Sequence, residues 1–309
     1  YYDAPLPFTG IDFTASYDHA GKILENAALT LRMDELQATF AATLTLEKEK
    51  VSGPVTLTVP EISAAALARL WPKHLDHLGA KPWIKDKMSG GRFVDGTASL
   101  DLTLTRKAAA EGGVVEWVSA VANMKAGIGI ENMDVNYNRP MVPMTDAGGK
   151  ARYEDDTLHI TLDRGGIGQL SIKEADIKVT NLLADTAGFV TIDTRLGGSL
   201  QSGFHYLQQE PIAFDLVAAG IDKGNVQGDI DFDILVTFPA LRDLPKEKVS
   251  VKAQGSVRNM LLPRMIKGLD VSGGPMNVQV EKGEIHISGT PRIAGRDTKT
   301  TLHAFTSIA

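Results

Sequence analysis

Val226-Gln227-Gly228-Asp229-Ile230-Asp231-Phe232-Asp233-Ile234-Leu235-Val236-Thr237-Phe238 is the stretch that decides the fold class. Val226, Ile230, Phe232, Ile234, Val236 and Phe238 fall on one side of a period-two alternation. Gln227, Asp229, Asp231, Asp233 and Thr237 fall on the other, and Leu235 alone intrudes. Wound as a helix, this stretch would scatter its aspartates around the circumference. Extended, it sets them all on one wet face.

The same grammar recurs on both sides of it. Ala98, Leu100, Leu102 and Leu104 alternate with threonines, Ser99 and Asp101, and Val249, Val251, Ala253 and Val257 alternate with polar residues. Phe40, Ala42, Leu44 and Leu46 do likewise, as do Val55, Leu57 and Val59, and Leu158, Ile160 and Leu162. Glycine pairs at 90–91, 112–113, 148–149, 165–166, 197–198 and 273–274 read as the turns between strands. Helical signals are few. Ala64-Ala65-Ala66-Leu67-Ala68-Arg69-Leu70 follows Ser63, a candidate N-cap, inside a segment 61–90 that Pro72 and Pro82 break into short pieces. Leu200 to Gln209 is a second candidate, closed by Pro211. The expectation is a mainly β chain: a long, twisted, mostly antiparallel sheet with short helical excursions.

Composition narrows the function. A net charge of −6 supplies no electrostatic reason to bind nucleic acid. An aromatic content of 6% is poor for a spanning barrel with aromatic girdles, and 43% hydrophobic residues argue against disorder. The absence of cysteine removes disulfides and thiolate chemistry. No stretch has the roughly 18 uninterrupted apolar residues of a spanning helix. Opening at Tyr1 without a basic leader, the sequence reads as an excised segment or mature product whose anchor lies elsewhere.

A duplication runs through the chain. Thr157-Leu158-His159-Ile160-Thr161 matches Glu284-Ile285-His286-Ile287-Ser288, Glu131-Asn132-Met133 matches Arg258-Asn259-Met260, and Gly168 matches Gly295, all at one offset of 127 residues. The predicted organisation is therefore strands 1–60 completing a preceding repeat, a first repeat 61–198 with its excursion at 61–90, and a second repeat 199–309 with its excursion at 199–211. A single sheet of about 16–18 such strands is too wide to lie flat, so a gutter-like groove is the natural shape. Its inner face would carry Leu100, Leu102 and Leu104, then Leu158, Ile160 and Leu162, then Ile230, Phe232, Ile234 and Val236, then Val249 and Val251. Apolar residues left uncovered by the excursions need a greasy ligand.

Catalytic patterns are wanting, and neither an enzyme nor a cofactor is expected. His159 and His286 oppose their aliphatic neighbours on predicted strands and read as solvent-face residues. His74 and His77 near Asp76 lack a third ligand, so no metal site is expected there. Asp229-x-Asp231-x-Asp233 imitates a calcium loop, but Ile234 stands where the loop's tight turn needs glycine. Asp155-Asp156 suits a hairpin turn. No G-x-S-x-G elbow occurs. Trp71 and Trp83 either pack an excursion onto the sheet or line the groove near a lipid head group.

Leu67-Ala68-Arg69-Leu70-Trp71-Pro72, Lys81-Pro82-Trp83-Ile84 and Ser89-Gly90-Gly91-Arg92-Phe93 form a pattern that resembles the YhdP-type region of AsmA-like proteins. Leu235-Val236-Thr237-Phe238-Pro239, Leu244-Pro245 and Gly283-Glu284-Ile285-His286-Ile287-Ser288-Gly289 continue the likeness, which covers most of residues 40–305. The resemblance implies a repeating β-groove in the Gram-negative periplasm, tethered to the inner membrane through an anchor missing from this chain. Phospholipid or another acyl lipid would move along it toward the outer membrane. Two other functions compete: an assembly module for outer-membrane biogenesis acting through exposed strand edges, and, ranked last, a hydrolase needing paired carboxylates in a cleft.

Overall fold

A computed structural model of the chain describes residues 6–71, 80–107, 116–182, 188–218, 220–222, 225–241 and 243–305. Its strands are β1 (Gly10–Asp18), β2 (Ile23–Met33), β3 (Leu36–Leu46), β4 (Lys50–Ser63), β5 (Met88–Lys107), β6 (Glu116–Val135), β7 (Met144–Glu154) and β8 (Thr157–Ile167). They continue through β9 (Leu170–Thr180), β10 (Phe189–Ser199), β11 (Gln227–Pro239), β12 (Ser250–Ile266), β13 (Leu269–Glu281), β14 (Glu284–Ile293), β15 (Arg296–Asp297) and β16 (Thr300–Phe305). Helices α1 (Ala64–Leu70) and α2 (Ala80–Lys87) separate β4 from β5, and α3 (Leu200–Leu207) separates β10 from β11.

Each strand pairs with its sequence neighbours, so the ladder runs β1 to β15 in chain order, with β16 joining β15 along the outer edge of β14. This is one antiparallel meander of sixteen strands, the architecture that one-sided alternation demands. Asp155 and Asp156 form the predicted hairpin turn, both at positive φ. Among the described residues no helix is long and apolar enough to cross a membrane.

The duplication is visible as a six-strand period. The tight turns at Asp34-Glu35, Gly168-Gln169 and Ala294-Gly295 hold matched places, ending β2, β8 and β14 respectively. In the first two copies a strand then runs straight into a helix through a serine. Ser63 Oγ accepts from Ala66 N at 3.1 Å, and Ser199 Oγ accepts from Ser202 N at the same distance. Both serines satisfy one of the free amides at a helix start. Asn132 and Asn259, matched in sequence, both adopt left-handed backbone.

The glycine pairs are not turns, which corrects the reading above. Gly90-Gly91 lies in β5, Gly148-Gly149 in β7, Gly165-Gly166 in β8, Gly197-Gly198 in β10 and Gly273-Gly274 in β13; the pair at 112–113 lies outside the described residues. Gly90 and Gly91 adopt left-handed backbone, whereas at Gly149 the reason is close approach of a neighbouring strand. A Cβ on Gly149 would stand 2.0 Å from the Thr161 carbonyl oxygen.

Two compact units divide the chain. One holds residues 1–85, 89–131 and 150–157, the other 86–88, 132–149 and 158–309. In the first, Ile62, Ala64, Ala66 and Phe93 are buried where β4 hands over to α1. In the second, Leu200 of α3 packs with Val226, Val257, Met260, Leu262, Val271 and Met276, and Phe204 and Ile230 lie against them.

Candidate apolar binding face

Cross-strand partners share a face of a sheet, so the register identifies which predicted residues stand together. In the second unit Phe232 lies opposite Leu196 and Gly255, Ile234 opposite Thr194 and Ala253, and Val236 opposite Ile192 and Val251. The same face continues through Val278 on β13, Ile287 on β14 and Leu302 on β16. Phe232 is placed by what lacks a side chain: a Cβ on Gly255 would meet its ring at 2.6 Å. Ile160 and Leu162 join this face through Ile172, Leu196 and Ile234, and Leu158 shares their alternation.

Two members of the predicted set differ. Ile230 is roofed by α3, whose Gly203 sits so near that a Cβ would come 2.8 Å from Ile230 Cδ1. Val249 falls before β12, because a short 3-10 turn at Lys246–Lys248 delays the strand until Ser250. In the first unit Leu100 faces Val55, Leu102 faces Gly53 and Leu104 faces Val51, and the face carries on through Leu57, Phe40, Leu29 and Phe13.

In each unit this face is half covered. Leu100, Leu102, Leu104, Phe232, Ile234 and Val236 are all half-buried, sheltered by lateral neighbours on their own sheet, while Leu162 is buried. All the strands described belong to one sheet, so no second sheet lies over them. At the first strand the exposure is larger, with Ile11 60% and Phe13 62% open. Such a surface presents mostly hydrocarbon, with the Thr194 hydroxyl among it opposite Ile234.

The reverse face is ionic. Asp231 accepts from Arg195 Nε and Nη2, at 2.9 and 3.0 Å, and from Lys173 Nζ at 2.9 Å. Arg195, then Lys173, hold its carboxyl well below the usual carboxylate range. Asn259 donates to Asp229 and Asn123 to Asp101, and Arg92 bridges Glu131 and Glu61. The three aspartates of β11 thus serve the wet face, one of them at the centre of a bidentate network. At the sheltered end of the second unit, burial raises the Tyr137 and Tyr206 hydroxyls above their ordinary range, the two oxygens lying 3.4 Å apart.

Trp71, just after α1, is half-buried, and its Nε1 is buried without a hydrogen-bond partner among the described residues. Trp83, on α2, is 47% exposed, so packing describes the first tryptophan better than the second. His74, His77 and Asp76 lie outside the described residues. His159 and His286 are solvent-facing as expected, and His159 stands 3.9 Å from Asp176. The sequence reading missed His303, which pairs directly opposite His286. Only the register of β16 on β14 could reveal that partner; the Glu284-x-His286 spacing was the one visible signal. Comparison with protein-family models, with curated proteins and with solved structures finds no match to this chain.

Proposed function

We propose that the chain holds acyl lipid on the apolar face of its sheet, and that this face forms the inside of a groove. The observation that carries the reading is the row of half-buried aliphatic and aromatic side chains, Phe232, Ile234 and Val236 with their cross-strand partners, lying under no second sheet among the described residues. A chain laid on such a face loses water from about half its surface, so each methylene contributes about 0.4 kcal/mol, half the value of full burial. Ten methylenes then contribute about 4 kcal/mol, about a millimolar affinity, so retention calls on the longer stretches of both acyl chains of a phospholipid. The AsmA-like pattern around Trp71-Pro72 and Trp83 supports phospholipid as the cargo, and a periplasmic, inner-membrane-tethered protein as the parent of this segment.

The test is mass spectrometry of lipid co-purified with the gently isolated chain. Phospholipid should be found with the parent protein and should fall severalfold in the Phe232→Asp and Leu102→Asp chains. Folded protein free of lipid, from cells and after incubation with phospholipid vesicles, would sink the proposal. A second reading rests on β1, which pairs only β2 among the described residues and exposes Ile11 and Phe13. An envelope-assembly module would capture a partner strand there through main-chain hydrogen bonds. Crosslinks from β1, rather than from Phe232, would favour it.

A further inference from the structure

We infer that Glu284, His286 and His303 form a binding site for a divalent transition-metal ion of the zinc class, which clips the edge strand β16 to β14. The site owes nothing to the apolar face, since it stands on the opposite, polar side of the sheet. His286 and His303 are directly paired across β14 and β16, and Glu284 precedes His286 by two residues, so alternation sends all three side chains to one face. Glu284 Oε2 lies 3.4 Å from His286 Nε2 and 3.5 Å from His303 Nε2. The three donor atoms lie within 4.8 Å of one another. Metal–ligand bonds of about 2.0–2.1 Å at tetrahedral angles place donors about 3.4 Å apart, so both distances to the carboxylate already match.

The imidazole rings are stacked at 4.2 Å with 17° between their planes. An ion must lie in the plane of each ring it binds, so one ring has to turn about its Cβ–Cγ bond. Phe305 flanks His303 at 5.0 Å, whereas His286 is half exposed and has solvent to turn into. Two imidazoles and one carboxylate suit zinc better than magnesium or calcium, which prefer all-oxygen shells, and they leave one position for water.

The internal repeat supplies a control. His159 matches His286, while Thr157 stands where the later copy has Glu284. Asp176, the neighbour of His159, holds the place of His303 at the same offset of 127 residues. The earlier copy therefore offers one histidine and one carboxylate, and the later copy adds a third donor.

The experiment is a zinc titration of the full chain by competition with a chromophoric chelator, with amide hydrogen exchange followed at residues 300–305. The parent chain should take up one zinc ion and slow exchange in β16. His303→Ala and His286→Ala should each weaken uptake by about tenfold or more, with Glu284→Gln intermediate and His159→Ala unchanged. Circular dichroism shows that each variant folds. Failure of the parent to take up zinc saturably would overturn the site. So would uptake that survives in the folded double variant His286→Ala/His303→Ala, because the ion would then be held elsewhere. Zinc-dependent uptake without slowed exchange in β16 would overturn the clip.

Discussion

At the residue scale, two kinds of position carry more than their sequence shows. Gly149 sits in β7 where the Thr161 carbonyl approaches, so Gly149→Ala forces two strands apart and should cost about 3 kcal/mol. Gly295→Ala meets nothing within 4 Å and suffers only its left-handed backbone, costing about 1 kcal/mol. Both glycines have positive φ, so denaturant melts of the two variants isolate the contact added at Gly149; equal losses would refute the close-approach account. Asp231 was legible as a wet-face residue but not as the hub of Arg195 and Lys173, because that network depends on which strands lie side by side. Its carboxyl is held low in the folded chain, so the unfolded chain binds more protons as pH falls. The stabilisation is complete above the unfolded value near pH 4, fades below it, and disappears once the folded-state carboxyl protonates. Asp231→Asn should therefore melt a few degrees below the parent at pH 7. The two curves should converge in acid, and a gap that persists at low pH would remove the charge explanation.

At the element scale, strands were legible because period two is a local property. Every stretch read as alternating lies largely within an observed strand, including Val55 to Val59 in β4 and Leu158 to Leu162 in β8. Helix α1 was also legible from its alanines and Ser63. The glycine pairs were misread because a turn and a crowded mid-strand site require the same residue, and only the neighbouring strand distinguishes them. Ser199 escaped the reading, yet its place repeats that of Ser63: the last residue of a strand and the cap of the helix that follows. Its hydroxyl also lies 2.6 Å from that of Ser202, whose Oγ donates to Gln169. Ser199→Ala should lower stability by about 1 kcal/mol. Because α3 roofs Ile230, the loss should come with faster amide exchange in residues 200–207 than in the neighbouring β11. A uniform change across both elements would place the serine's role elsewhere.

For the whole molecule, the number of strands and their chain-order pairing follow from repeated one-sided strands joined by short connections. Lipid as the occupant of the apolar face is proposed only through the resemblance, because alternation shows that a face is greasy and not what covers it. Among the described residues all strands join one sheet, so no second sheet serves as the cover. Phe232 and Ile234 already pack in part against buried clusters, and the exposed remainder of these side chains and of Leu100 and Leu102 meets water unless a ligand covers it, which is an unfavourable surface to leave wet. A photocrosslinking residue placed on this face should capture lipid in cells, whichever compact unit carries it. Replacement at Leu102, Ile160 or Ile234 should yield lipid adducts, whereas replacement at Ser99, Thr161 or Gln254, on the opposite face by alternation, should yield few. The contrast is demanding, since each member of a pair is separated from its control by at most a few residues of the same sheet and shares its local concentration. Adducts at both faces would indicate lipid gathered nonspecifically. Adducts in only one unit would confine the cargo to a pocket there rather than a path, and protein adducts concentrated on β1 would transfer the function to the strand edge.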